Sequence, residues 1–281
     1  YYRAATSVSS GMSDRVYEYT PAPGQFINET KTGGFSGNET TAEAACFYAE
    51  QRFSNSQWVS LGGFGGYVVV GFDHSVENSS SYDFAVIGNS FSGSSEPGIV
   101  WVMQDENGNG QPDETWYELR GSETGLATTL GEYAVTYYRP SAAGMPVPWQ
   151  DNIGNSGEID YLADYHTQDF YYPMWVDADS YTLRGTLLEA KCFDKSGNGS
   201  YWILPEYDWG YADNFSAIDC NQKGDKANKF DISNAIDYNG NSISLQYIDF
   251  VKVQTATNAK CGWIGENSTE VCGFYDCNIT N

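Results

Sequence analysis

Tyr67-Val68-Val69-Val70-Gly71-Phe72-Asp73 is the stretch on which the fold class turns. Its apolar run is strand-sized, far short of the about 18 residues a membrane-spanning helix needs, and its β-branched and aromatic residues suit a pleated, buried surface. Similar runs punctuated by Gly, Asn or Asp recur along the chain. They lie at Trp58 to Leu61, Tyr82 to Asn89, Ile99 to Gln104, Thr115 to Arg120, Tyr133 to Arg139, Thr182 to Cys192, Tyr201 to Leu204 and Tyr247 to Gln254. One segment reads as helix, Thr40 to Phe53, with Cys46, Phe47 and Ala49 at helical spacing and Glu43 near the positive end of the helix dipole. Strands at this spacing predict an all-β fold, a β-sandwich of the jelly-roll kind with one short helix and long loop insertions. Pro140 to Asp179, with Pro140, Pro146, Pro148 and Pro173 and little alternation, reads as a long excursion suited to a binding surface. No internal repeat or composition break divides the chain. The expectation is an N-terminal extension, 1–15, followed by a single elaborated domain, 16–281.

Composition narrows the partners. Lys and Arg number 14 against 37 Asp and Glu, a formal charge of −23, and such a surface repels phosphate backbones and anionic headgroups. Neither nucleic acid nor membrane insertion is expected. Charged residues make up only 18% while aromatic residues reach 16%, so the acidity does not signal disorder. The chain begins Tyr1-Tyr2-Arg3 without a signal-peptide pattern, which predicts a leader already removed from an extracellular or cell-surface protein.

Six cysteines, Cys46, Cys192, Cys220, Cys261, Cys272 and Cys277, form an even set with no metal-type pair at two-residue spacing, which favours disulfides over zinc. The closeness of Cys261, Cys272 and Cys277 predicts at least one bridge stapling the C-terminal loop, with free buried thiols as the alternative. Asn-x-Ser/Thr acceptors stand at Asn28, Asn38, Asn78, Asn198, Asn214, Asn267 and Asn278 and predict a glycan-coated surface.

The sharpest local signal for chemistry is Asp105-Glu106-Asn107-Gly108-Asn109-Gly110-Gln111-Pro112-Asp113. Asp105, Asn107 and Asn109 supply oxygen at positions one, three and five of a calcium loop. Gly110 takes the sharp turn, Gln111 offers its carbonyl, and Asp113 takes position nine. Trp116 stands where the bidentate acid belongs, so Glu114, Glu118 or another loop must complete the shell of a bound Ca2+. Weaker echoes at Asp194 to Gly199 and Asp237 to Asn241 read as tight turns. Only His74 and His166 are present, and no metalloprotease, nucleophile-elbow or phosphate-loop motif appears, so the chain is expected to be non-catalytic. Trp149, Tyr165, Tyr171, Trp175 and Trp209, among acids, are candidates to stack on a ring-shaped ligand, with loop packing as the alternative.

Several longer strings point further. They include Val16-Tyr17-Glu18-Tyr19-Thr20-Pro21-Ala22-Pro23-Gly24, Ser60-Leu61-Gly62-Gly63-Phe64-Gly65-Gly66-Tyr67, Ser95-Glu96-Pro97-Gly98-Ile99-Val100-Trp101, Thr115-Trp116-Tyr117-Glu118-Leu119, Gly210-Tyr211-Ala212-Asp213-Asn214 and Ile248-Asp249-Phe250-Val251-Lys252-Val253. Over residues 16 to 275 the chain resembles a family of Bacteroidetes cell-surface proteins. That resemblance implies a surface-exposed, non-catalytic protein, similar in some members to the cobalamin-capturing surface lipoproteins that serve outer-membrane transporters. The first cysteine, Cys46, lies inside the expected helix rather than at a lipidated start, so no lipid anchor is expected. Tyr1 to Ser10 is β-competent and suited to add to another subunit's sheet edge, or to fold back on its own domain. Together these readings predict a calcium-stabilised, glycosylated surface protein that assembles with copies of itself into a fibre, layer or adhesive appendage. The alternative is a module capturing a corrinoid or glycan.

Overall fold

The computed structural model describes residues 1–31, 37 and 39–279. Tyr67 to Glu77 forms the second strand of a six-stranded antiparallel sheet. Its order is β1 (Arg15–Thr20), β3 (Tyr67–Glu77), β15 (Tyr247–Thr255), β5 (Gly98–Met103), β6 (Tyr117–Leu119) and β14 (Ala235–Ile236). Nearly every residue of β3 is buried, because the sheet is covered on both faces. On one face Val68, Val70 and Phe72, with Val100, Val102, Val251 and Val253, meet a three-stranded sheet of β13 (Ala227–Phe230), β4 (Phe84–Ile87) and β17 (Gly273–Asp276). That core continues into Ala45, Ala49 and Phe53 of the helix α1 (Ala42–Ser54), each large apolar side chain gaining about 1.5–3 kcal/mol on burial. Thr41 caps α1, its hydroxyl accepting from the Ala44 amide at 3.1 Å.

The opposite face carries a four-stranded sheet, β10 (Ser180–Leu187), β7 (Leu130–Tyr138), β8 (Val147–Asp151) and β9 (Ser156–Ile159), over a second core of Phe64, Tyr133, Val135, Tyr137, Tyr171, Tyr172 and Leu183. Gln254 of β15 ties the layers together, its amide donating to the carbonyls of Gly65 and Arg184 at 2.8 and 2.9 Å. Two small ladders complete the fold, β11 (Phe193–Asp194) with β12 (Trp202–Ile203) and β16 (Glu270–Val271) with β2 (Val59–Ser60). The fold is all-β with a single α-helix among the described residues.

All nine strand runs read from the sequence hold strands, and the helix lies where its spacing put it. The excursion after Pro140 differs from expectation, since β8 and β9 lie within it. Pro148 has its pairing partner on β9, while the β7 ladder begins at Trp149, so the missing N–H of Pro148 breaks no bond to β7.

The N-terminal stretch folds back rather than offering a strand. The Arg3 amide donates to Ser75 Oγ at 2.9 Å, the Ser75 amide returns a bond to the Arg3 carbonyl at 2.8 Å, and the Arg3 guanidinium reaches buried Asp249 at 3.2 Å. Met12 then bridges to Tyr275, and no strand precedes Arg15 among the described residues.

The expected disulfide staple is corrected too. All six cysteines are free thiols, and Cys261, Cys272 and Cys277 do not bridge. Cys46, Cys220 and Cys272 instead turn their sulfurs to the carbonyls of Tyr17, Lys226 and Gly88, as small, partly or fully buried side chains with a weak donor. Cys261 lies against Cys192 and donates to Asn267 Oδ1 at 3.0 Å.

Three glycan acceptors are corrected by burial. Asn28 is 6% exposed, with its amide donating to the carbonyls of Phe170 and Tyr172. Asn214 is fully buried and donates to Tyr207, and Asn267 is 4% exposed. A glycan occupies the amide nitrogen and reaches solvent, which these three positions do not permit in the folded chain. Asn198 and Asn278 are exposed, Asn78 is half-buried with its amide on the Leu245 carbonyl, and Asn38 lies outside the described residues.

Candidate functional site

Three segments far apart in sequence bring carboxyls together beside the β16 ladder. Glu96 stands just before β5, Asp213 in the loop that bridges Gly98 through Ala212, and Glu270 opens β16. Each places an oxygen within 4.8 Å of the others. The cluster is built by backbone donors. Asp213 accepts from the amides of Asn89 and Glu270 at 3.1 and 2.9 Å, Glu96 from the Ser268 amide at 3.0 Å, and Glu270 from Ser268 Oγ at 2.9 Å. Asp213 adopts a left-handed backbone, φ 51°, hard against Gly88, where an added Cβ would lie 2.8 Å from Asp213 Oδ1.

Burial dominates the electrostatics. It pushes Glu96 up to about 8, helped by the charge of Asp213, and Asp213 up to about 7. Glu270 is raised well above the carboxylate range by burial and then by its two neighbours. Near neutral pH the cluster therefore holds protons and can both donate and accept hydrogen bonds. Its oxygens also suit a hard divalent cation, which would displace those protons.

Glu96 and Glu270 form the floor of a cavity of about 290 Å³ whose walls are aromatic. Phe26 sits edge-on to Trp58 at 5.2 Å and to His166 at 4.8 Å, and Tyr165 lies 6.0 Å from Trp263. Phe91 and Tyr165 are 60% exposed and Trp263 50% exposed, so flat apolar faces remain in water around an acidic floor. Burial holds His166 below its ordinary value, keeping it neutral at pH 7.

The five aromatic residues singled out from the sequence do not converge. Tyr165 alone joins this mouth. Trp149 lines a separate cavity with Glu266, and Trp209 lines another with Tyr82 and Ile218. Tyr171 and Trp175 are buried in the cores, which assigns them to loop packing. The Tyr171 hydroxyl accepts from Leu162 and donates to His166, while Trp175 lies 5.8 Å from Tyr19. No spacing signal marked Glu96, Asp213 or Glu270, although Glu96 and Asp213 fall within strings that carry the family resemblance.

The calcium-loop residues are brought together as expected. Asp105, 1% exposed, accepts from the amides of Gly108 and Gly110 at 2.7 and 2.9 Å. Asn107 accepts from the Asn109 amide and Asn109 from the Gln111 amide, both at 2.8 Å. Asp113 receives the side-chain amides of Asn107 and Asn109. Gly108 and Gly110 take φ of 76° and 70°, which the tight winding requires. Glu114, one of the acids expected to complete the shell, accepts from the Asn107 amide through Oε1, and its Oε2 is buried without a partner. That orphaned oxygen and an all-oxygen donor set fit a calcium ion held by Asp105, Asn107, Asn109, Gln111, Asp113 and Glu114. The echoes at Asp194 and Asp237 are turns whose carboxylates cap their own backbone amides.

A comparison with models of known protein families gives no match, and no curated protein matches the chain.

Proposed function

We propose that the chain is a non-catalytic capture module that holds a glycan ring in the aromatic mouth, with calcium bracing the Asp105 loop. The observation that carries the proposal is the set of half-exposed rings of Phe91, Tyr165 and Trp263 around a floor of buried Glu270 and partly buried Glu96. A sugar presents an apolar face to stack on such rings and hydroxyls that pair with carboxyls in either protonation state. The cavity lies at the small end of ligand sites, which suits one sugar ring better than a corrinoid macrocycle. Glu96 and Glu270 place oxygens within 4.8 Å of each other, closer than the roughly 5 Å or more that separates glycosidase carboxyls, which favours binding over hydrolysis.

Placement at a cell surface is part of the proposal and rests on the resemblance over residues 16 to 275. Self-assembly is not carried into it, because the stretch expected to form the joint is engaged by its own domain. Calorimetry against a panel of neutral oligosaccharides and cobalamin tests the reading. Binding of an oligosaccharide that weakens at least tenfold in Trp263→Ala and Tyr165→Ala supports it. Heat with cobalamin alone, or none with any sugar, refutes it.

A further inference from the structure

The largest cavity described, about 480 Å³, lies elsewhere, over β5, β6 and β15 where β10 and β7 cross them. Lys252 lines it. On β15 this residue pairs with Trp101 of β5, and its ammonium lies 4.9 Å from the ring centres of both Trp101 and Trp116 and 5.7 Å from that of Tyr67. Among the described residues no carboxylate comes within ion-pair distance of it and no carbonyl accepts from it. Burial lowers Lys252 to about 8, so it is still largely charged at neutral pH.

The acids nearby are occupied or discharged: Glu18, whose charge reaches Lys252, accepts from the Tyr67 hydroxyl at 2.7 Å, and Asp237 caps the amides of its own turn. Glu118 accepts from Thr186 Oγ1 at 2.7 Å and is pushed up to about 7 by burial. Glu132 is engaged by Arg184 at 3.4 Å. In a chain of charge −23, this cavity thus holds an ammonium that lacks an acceptor. A buried ammonium held only by π faces recovers part of its lost hydration, and an anion would supply the remainder.

We propose that this cavity binds a sugar acid, its carboxylate accepting from Lys252 Nζ and its ring lying against Trp116. The volume and the two indole walls favour a ring over a bare anion. The rim, with Thr124, Thr129, Asp237 and Asn239, offers partners to hydroxyls rather than to an aromatic acid.

Titration of intrinsic tryptophan fluorescence and of heat with glucuronate oligosaccharide, the matching glucose oligosaccharide, benzoate and inorganic phosphate tests this. The expected result is saturable binding of the uronate, at least tenfold tighter than the other three. Lys252→Met, which keeps the apolar stem, and Trp116→Ala, at the partly exposed wall, should each weaken it at least tenfold with the folded state intact by circular dichroism. Trp263→Ala, in the other mouth, should leave it unchanged. Equal affinity for the neutral sugar, equal affinity for phosphate or benzoate, or no binding of the uronate overturns the proposal. Binding that survives both Lys252→Met and Trp116→Ala overturns the assigned site.

Discussion

Raising the pH from 5 to 8 should loosen the protein through the Glu96, Asp213 and Glu270 cluster, and Glu270→Gln should remove much of that loss. In the unfolded chain these carboxyls titrate near 4, whereas in the fold Glu96 is raised to about 8, Asp213 to about 7 and Glu270 well above the carboxylate range. Between those limits the native state binds more protons than the unfolded state, so stability falls as pH rises. The contribution is intact below about pH 4 and lost through about pH 7 to 8. Moving one carboxyl from 4.5 to about 8 corresponds to roughly 5 kcal/mol on full ionisation. Relaxation and water entry at the partly exposed Glu96 leave about 2 kcal/mol per proton.

For a chain of this size that is a fall in Tm of about 4 °C for each carboxyl. Calorimetric melts at fixed ionic strength, with chelator present so that no cation masks the carboxyls, give the slope. Glu270→Gln keeps an oxygen to accept from Ser268 Oγ while removing one titrating proton. It should raise the Tm at pH 8 and flatten the pH dependence. A variant with the same slope as the parent would refute the reasoning, because the general repulsion from a charge of −23 is common to both chains.

Other expectations are simpler to check. Calcium at a hundredfold excess over its Kd should add about 2.7 kcal/mol to stability, read as a rise of roughly 5 °C in Tm, and the double variant Asp105→Ala/Asp113→Ala should show no calcium response in the same melt. On glycosylating expression, peptide mass spectrometry should find carbohydrate at Asn198 and Asn278 and none at Asn28, Asn214 or Asn267. Asp249→Asn should cost about 2–4 kcal/mol in denaturant unfolding, because buried Asp249 accepts from Ser75 Oγ, the Asp105 amide and Arg3 together.

What the sequence revealed follows from the range over which each signal acts. Strands such as Tyr67–Glu77 and Tyr247–Thr255 carry their burial in consecutive residues, and the calcium loop is a set of short-range turns, so both are legible in a single window. The two-residue strands Glu270–Val271 and Val59–Ser60 exist only because they pair with each other, and no local pattern marks them. The aromatic mouth was partly legible through Tyr165. Its other walls, Phe26, Trp58, Phe91 and Trp263, come from separate loops and converge only after the sheets have stacked. Composition overstated the glycan acceptors for a related reason, since Asn214 and Asn267 spend their side chains on internal bonds that no sequon pattern reports.

The acidic cluster is drawn from residues 96, 213 and 270, so it exists only when three segments far apart in the chain have all docked. Long-range closure of this kind comes late in folding. A ligand held there would act as a clasp across the whole molecule, and its release on warming should coincide with global melting rather than with the fraying of any one loop.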